Sequence, residues 1–249
     1  MSILMAQKIQ PPLNNPCMDG VSALVREVMP AHRVYCEPWF LGGEVFFRKR
    51  PSAIEFINDS DNRIMDFYMV IRSRPQELAF LIESTLYSDT LVRLADDIYH
   101  RRVVSDELYR AWAVWMRYQT SRQGAMSWMK DTGLCLAAGD IRPRSSLSLD
   151  GYLDKRLSQV VLLNRDAVSV INEANGKDTF FYFQPTGRKE LAALGSVILR
   201  LKGKFALYYH EKGILDQFAH SLDLAAEENE RGDKIYVNFG RMRGLFDII

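Results

Sequence analysis

The chain has 249 residues, of which 47% are hydrophobic and 25% charged, with a formal net charge of +1. This length suits one large α/β domain or a core with an inserted subdomain. The composition excludes a disordered chain, and the near-neutral balance removes any whole-molecule electrostatic argument for nucleic acid. Cys17, Cys36 and Cys135 form an odd set without metal-ligand spacing, which points to a reducing compartment and to no bound metal. No apolar run approaches a membrane span and Met1–Lys8 is too short for a signal peptide, so the expected location is the cytoplasm, with no membrane partner.

In chain order, Met1–Gly20 is punctuated by Pro11-Pro12, Asn14-Asn15-Pro16 and Asp19-Gly20 and reads as loop. A short helix is expected over Val21–Val28. Two β-type runs, Arg33–Glu37 and Ala53–Ile57, then flank a Gly42-Gly43 turn and a short apolar helical segment, Glu44–Arg48. A strand that ends in a glycine turn and opens a helix brings backbone close to nucleotide-like ligands in α/β folds. Asp59, at the end of the second run, stands where such folds hold a ribose hydroxyl. A plain turn accounts for Gly42-Gly43 equally well.

Beyond Asp59, the spacing of Ile64, Phe67, Tyr68 and Ile71 predicts an amphipathic helix. Pro75 ends it and starts another carrying Leu78, Leu81 and Ile82. Asp89–Tyr118 reads as continuing helix with a basic, aromatic surface: Tyr99, Arg101, Arg102, Tyr109, Arg110, Trp112, Trp115, Arg117 and Tyr118. Ser121–Ser148 is richer in Gly, Ser and Thr, carries Arg122, Lys130, Arg142 and Arg144, and reads as a loop-rich excursion; helix returns at Leu147–Leu157. Residues 100–156 hold ten Lys or Arg against six Asp or Glu. An ordinary solvated surface over core aromatics is the competing reading of this region.

From residue 159 strand and helix alternate. Val160–Leu163, Thr179–Phe183, Phe205–Tyr209 and Ile235–Phe239 are β-rich, and helical patterns occupy Asp166–Ala174, Lys189–Leu201 and Gly213–Glu230. Six strands alternating with helices predict an α/β fold with a predominantly parallel sheet covered on both faces. The α/β core is expected over 1–87 and 156–249, interrupted by a helical, basic insertion at 88–155.

Several stretches resemble the Dam-type DNA adenine methyltransferases, which transfer a methyl group from S-adenosylmethionine to adenine in DNA. Tyr35-Cys36-Glu37-Pro38-Trp39 with Gly42-Gly43-Glu44-Val45-Phe46-Phe47 resembles Y-x-E-P-F-x-G-G-G-A-V-F-F. Ile57-Asn58-Asp59 followed by Phe67-Tyr68 resembles I-N-D…F-Y. Arg110-Ala111-Trp112-Ala113, Arg156-Leu157, Asn164-Arg165-Asp166 and Lys202-Gly203-Lys204-Phe205 resemble R-A-W-A, R-L, N-R-D and K-G-K-F. The matches run through almost the whole chain in family order. The resemblance implies a Rossmann-like S-adenosylmethionine-dependent methyltransferase sheet with the 88–155 insertion as a DNA-recognition subdomain. It also implies a cofactor site at Glu37, Pro38, Gly42, Gly43, Asp59 and Asp166, with Asp59 on the ribose and Asp166 near the adenine. For both acids a solvated strand end or a helix cap is the alternative.

The departures concern the chemistry. The family's opening K-Y-P-G-G-K reads Asn14-Asn15-Pro16-Cys17-Met18-Asp19 here, with an anion replacing the final cation. In F-x-G-x-G, Leu41 takes the place of the first glycine, and leucine would fill space meant for the cofactor; at positive φ it also costs on the order of 1–2 kcal/mol. The catalytic D-P-P-Y becomes Gln184-Pro185-Thr186-Gly187, after an intact Phe180-Phe181-Tyr182-Phe183. The adenine amine is a poor nucleophile because its lone pair is delocalised into the ring, so the family uses a carboxylate to accept its hydrogens and a tyrosine to stack on the flipped base. A neutral Gln184 loses roughly 1–2 kcal/mol relative to a charge-assisted bond, equivalent losses of positioned electrostatics lower turnover about 10²–10³-fold, and Gly187 has no ring.

The expectation is therefore a catalytically inactive, DNA-binding or regulatory pseudoenzyme, with S-adenosylmethionine binding in question. Double-stranded DNA is the expected partner, through phosphate contacts from Arg101, Arg102, Arg110, Arg117, Arg122, Lys130, Arg142 and Arg144. An active adenine methyltransferase with divergent motifs is one alternative. A silent partner of a catalytic methyltransferase subunit, using Trp112, Trp115 and Trp128 as interface anchors, is another.

Overall fold

A computed structural model of the chain describes residues 11–13, 15, 18–86, 88–120 and 152–240. The Ser121–Ser148 excursion, with Arg122, Trp128, Lys130, Arg142 and Arg144, lies outside the described residues, as do Cys17 and Cys135.

The fold is α/β. Seven strands, β1 (Val34–Glu37), β2 (Ile54–Asn58), β3 (Val161–Leu163), β4 (Thr179–Phe183), β5 (Lys204–Leu207), β6 (Ala225–Glu228) and β7 (Lys234–Val237), form one sheet in the order β3-β2-β1-β4-β5-β7-β6. Pairing is parallel for β1 with β2 and β4 and for β4 with β5, and antiparallel for β7 with β5 and β6. The helices are α1 (Asp19–Val28), α2 (Glu44–Arg48), α3 (Asn62–Ser73), α4 (Pro75–Glu83), α5 (Asp89–Tyr99), α6 (Glu107–Thr120), α7 (Tyr152–Ser158), α8 (Ala167–Ala174), α9 (Arg188–Ile198) and α10 (Lys212–Ser221). Among the described residues no helix is long and apolar enough to cross a membrane.

Contacts divide the chain into two compact units, one of residues 1–18, 41–48 and 61–164 and one of 19–40, 49–60 and 165–249. The first is helical and larger than the 88–155 insertion read from the sequence, since α2, α3 and α4 belong to it. Its centre is α6, which packs against α3, α4 and α5. Ala111 to Tyr118 are all buried, Trp112 and Trp115 among them, and the Trp112 indole donates to Thr85 Oγ1 at 2.8 Å. The expected continuous helix over Asp89–Tyr118 is broken: Arg101 sits at φ 58°, and the Asp106 carboxylate accepts from the Tyr109 N–H at 2.9 Å to start α6 afresh. A left-handed residue followed by an acidic cap ends one helix and begins the next.

The second unit holds most of the sheet. Every residue of β4 is buried, as a central parallel strand requires when both its faces are covered. Its aromatic run alternates between the faces, so Phe180 stacks on Tyr35 while Phe181 and Phe183 stack on each other. The predicted helix over Gly213–Glu230 ends early. α10 stops at Ser221, Asp223 turns at φ 52°, and Ala225–Glu228 forms β6 against β7. Ala and Glu favour helix locally, but the ladder to β7 satisfies the backbone and sets Glu228 opposite Lys234; opposite charges so placed stabilise a pair. A charged edge strand also discourages pairing with other chains.

Under β1 lies a buried polar chain. Lys49 and Glu55 form an ion pair with each side chain 2% exposed. Lys49 also donates to Ser52 Oγ at 2.8 Å and lies 4.1 Å from the Tyr35 ring centre. His32 Nδ1 donates to the Pro30 carbonyl at 2.8 Å, which leaves Nε2 as the acceptor for the Ser52 hydroxyl, also at 2.8 Å. Burial, and secondarily the Lys49 charge, lower the His32 pKa below its ordinary 6.5, against raising contributions from the Pro30 bond and Glu55.

Removing one partner strands a buried charge, so Lys49→Ala is expected to destabilise the protein by about 3–5 kcal/mol in urea unfolding, whereas Lys49→Met with Glu55→Leu recovers most of the loss. A base with a depressed folded pKa contributes stability that is complete above its unfolded pKa and lost as pH falls through the folded value. The unfolding midpoint should therefore drop as pH falls below the ordinary imidazole value of 6.5, and drop less in His32→Gln.

Candidate functional site

From β1 the chain continues to β2 on one side, and from β4 to β5 on the other. Open α/β sheets bind ligands beyond the carboxyl ends of the strands at such a reversal. Here that edge is formed by Glu37, the last residue of β1, and Gln184, the first after β4, both in the second unit.

Each is held by a tyrosine two residues earlier on the same strand face. Tyr35 Oη donates to Glu37 Oε2 at 2.7 Å and Tyr182 Oη donates to Gln184 Oε1 at 3.0 Å. Glu37 is 1% exposed. Burial, reinforced by the Glu37 charge and hydrogen bond, pushes the Tyr35 phenol well above its usual pKa and keeps it a donor. On β2, Asn58 Nδ2 donates to the carbonyls of Pro38 (2.9 Å) and Arg165 (3.0 Å), and Oδ1 accepts from the Arg165 N–H at 2.9 Å. This clamp ties Pro38 and the start of the α8 segment to the strand end, and sequence reasoning registered Asn58 only as a letter in I-N-D. Asp59 follows it, buried. Asp166 is the N-cap of α8, its Oδ2 accepting from the Ser169 N–H (2.9 Å) and hydroxyl (3.2 Å).

The Gln184-Pro185-Thr186-Gly187 segment leads into α9. Thr186 gives both its N–H and its hydroxyl to Glu190 Oε2, the reach of an acidic residue in the first turn back to the helix start. Gly187 is the N-cap in extended conformation at φ −148°, and a Cβ there would meet nothing within 4 Å.

Gly42 and Gly43 belong to the helical unit. Leu41 and Gly43 both have positive φ, 49° and 71°; the first strains a leucine and the second suits a glycine. A Cβ on Gly42 would run into the Leu13 carbonyl oxygen and the Glu44 carboxylate. The Asn15 N–H donates to Glu44 Oε1 at 3.1 Å, and Tyr68 Oη donates to the Gly42 carbonyl at 3.0 Å. The space that glycine opens is thus taken by the chain itself. Glu44 directly follows the Gly42-Gly43 pair, so the residue that fills the turn is itself visible in the sequence. The space beside Gly42 is occupied by the Leu13 carbonyl and the Glu44 carboxylate.

The described arginines of the basic region are largely committed. Arg117 is 4% exposed and ion-paired with Asp96, and its guanidinium, like that of Arg63, lies 4.2 Å from the Tyr99 ring centre. Arg102 bonds Asp96 and Asp97 at 2.9 and 3.0 Å. Arg110 donates to the Ser105 carbonyl at 2.7 Å, and Arg101 is exposed. Among the described residues no group of three or more His, Cys, Asp or Glu side chains is placed to hold a metal ion.

The two glycines separate in a stability test. Gly42→Ala is expected to lower unfolding free energy by about 1–3 kcal/mol through overpacking, while Gly187→Ala, extended and beside open space, stays within about 0.5 kcal/mol of the parent.

Comparison with protein-family models and with curated proteins finds no match to this chain, so its activity has to be argued from its own residues.

Proposed function

We propose that this chain is a Dam-like DNA adenine methyltransferase homologue that no longer catalyses methyl transfer and acts as a DNA-binding or regulatory pseudoenzyme. The observation that carries the reading is the state of Gln184. Transfer to an adenine amine needs an anionic acceptor at the end of β4. Gln184 is neutral, and its one side-chain acceptor atom already receives the Tyr182 hydroxyl. Gly187 supplies no ring for a base to stack on, and the Gly42 turn is closed by Leu13 and Glu44. The DNA part rests on Arg101 together with Arg122, Lys130, Arg142 and Arg144.

A second reading, a non-catalytic partner of an active methyltransferase subunit, is favoured by large apolar side chains on the helical unit. Phe80 is 72% and Leu86 76% exposed, side chains that a partner subunit would cover.

Purified protein incubated with labelled S-adenosylmethionine and mixed-sequence DNA is expected to transfer no label. It is expected to retain DNA on a filter at low salt, with affinity falling steeply as salt rises. Label in the DNA would overturn the loss of catalysis, and failure to retain DNA at low salt would remove the DNA-binding part. Gln184→Asp with Gly187→Tyr should leave the protein inactive, because the glycine turn stays closed.

A further inference from the structure

We infer that the amino end of the sheet, opposite the edge that carries Glu37 and Gln184, is a docking surface for the sugar–phosphate backbone of double-stranded DNA. The inference rests on the DNA-binding reading above and adds to it a surface on the second unit.

The starts of β1, β4 and β5 lie side by side. Register sets Val34 beside Thr179 and Phe180 beside Lys204, and the Arg33 N–H donates to the Asp178 carbonyl at 3.0 Å. The segments 30–35, 174–180 and 199–205 that lead into these strands carry five cations, Arg33, Lys177, Arg200, Lys202 and Lys204, and one acid, Asp178. All five cations are exposed. Arg200 donates to the Ser196 carbonyl at 2.8 Å, and Lys204 Nζ lies 6.0 Å from the Phe239 ring centre. Among the described residues none of the five is paired with a carboxylate, whereas Arg102, Arg117, Arg165 and Arg188 all are. A carbonyl or a ring leaves the charge uncompensated, so the row keeps a positive field for an anion.

The frame beneath the row is tied. Asn175 Nδ2 donates to the Arg200 carbonyl at 3.1 Å and its Oδ1 accepts from the Lys202 N–H at 2.8 Å. Asn238 does the same for the Gly203 carbonyl (3.1 Å) and the Phe205 N–H (2.8 Å). A Cβ on Gly203 would come within 2.6 Å of the Thr179 carbonyl oxygen, so glycine lets this segment run close against β4. With strands about 4.8 Å apart, β1 to β5 spans about 10 Å, over which a duplex presents several phosphates. Phosphate contacts carry no base information, so binding here is independent of sequence.

Anisotropy titrations of a labelled duplex across a salt series test this. The variant Arg200→Gln, Lys202→Gln, Lys204→Gln is compared with Arg165→Gln, Arg188→Gln, Lys234→Gln, which removes as many charges from side chains already bonded to acids. The first is expected to bind at least about tenfold more weakly at low salt and to flatten the slope of log affinity against log salt by about 2–3. The second should change affinity by no more than about threefold. Circular dichroism confirms that both variants are folded. Equal losses in the two variants, or none in the first, would overturn the inference and leave DNA binding standing. No binding of the duplex by the natural protein at low salt would overturn the inference and the DNA reading together. Retention of that protein on phosphatidylserine vesicles would then assign the row to a membrane surface instead.

Discussion

The parallel pairing of β1 with β4 is the constraint on which the rest depends. Parallel neighbours cannot be joined by a hairpin; each needs a crossover, and successive crossovers bring the carboxyl ends of the parallel strands to one edge. Because the chain leaves β1 in one direction and β4 in the other, that edge carries a crevice position at their junction. Residues far apart in sequence, Glu37 and Gln184, become its two neighbouring ends. The β4 strand, four of whose five residues are aromatic, can sit at the centre because both its faces are covered, and Tyr35 and Tyr182 can act as clasps because their hydroxyls find a polar partner at the strand end.

The same packing explains how polar groups are tolerated inside. Lys49, Glu55, Ser52 and His32 are joined in sequence of donor and acceptor, so burial does not leave a charge without compensation. In the helical unit Asp96 gathers Arg102 and Arg117, and Tyr99 lies against two guanidinium groups. Among the described residues, the arginines there are therefore largely engaged by neighbouring acids and carbonyls. Composition counts charges, whereas availability to a phosphate depends on which of them already have carboxylates, and that is settled by packing.

Much of the scaffold was legible. β1, β2, β4 and β5 fall where period, β-branched and aromatic runs place them, because central strands have little besides their apolar character to vary. Pro75 announces α4, and Asp166 heads the helical pattern that becomes α8. β6 was illegible, since Ala225-Ala226-Glu227-Glu228 has a helical propensity that only the β7 ladder overrides. The break at Arg101 was missed because nothing in its own side chain requires positive φ.

Of the site, the sequence by itself determined the chemical identities: a neutral amide at Gln184, a glycine at position 187, and a leucine before the Gly42-Gly43 turn. Those are covalent facts that no packing can reverse. Only the tertiary structure decided what each group faces. It set Leu41 in the left-handed region, filled the Gly42 turn with Leu13 and Glu44, gave Asp166 to a helix cap, buried Arg117 and turned Tyr182 onto Gln184. Leu13 at Gly42 and Asp96 at Arg117 are contacts between residues distant in the chain. Asp166 with Ser169 and Tyr182 with Gln184 are near in sequence, yet local pattern does not record which of the available partners a polar atom will meet.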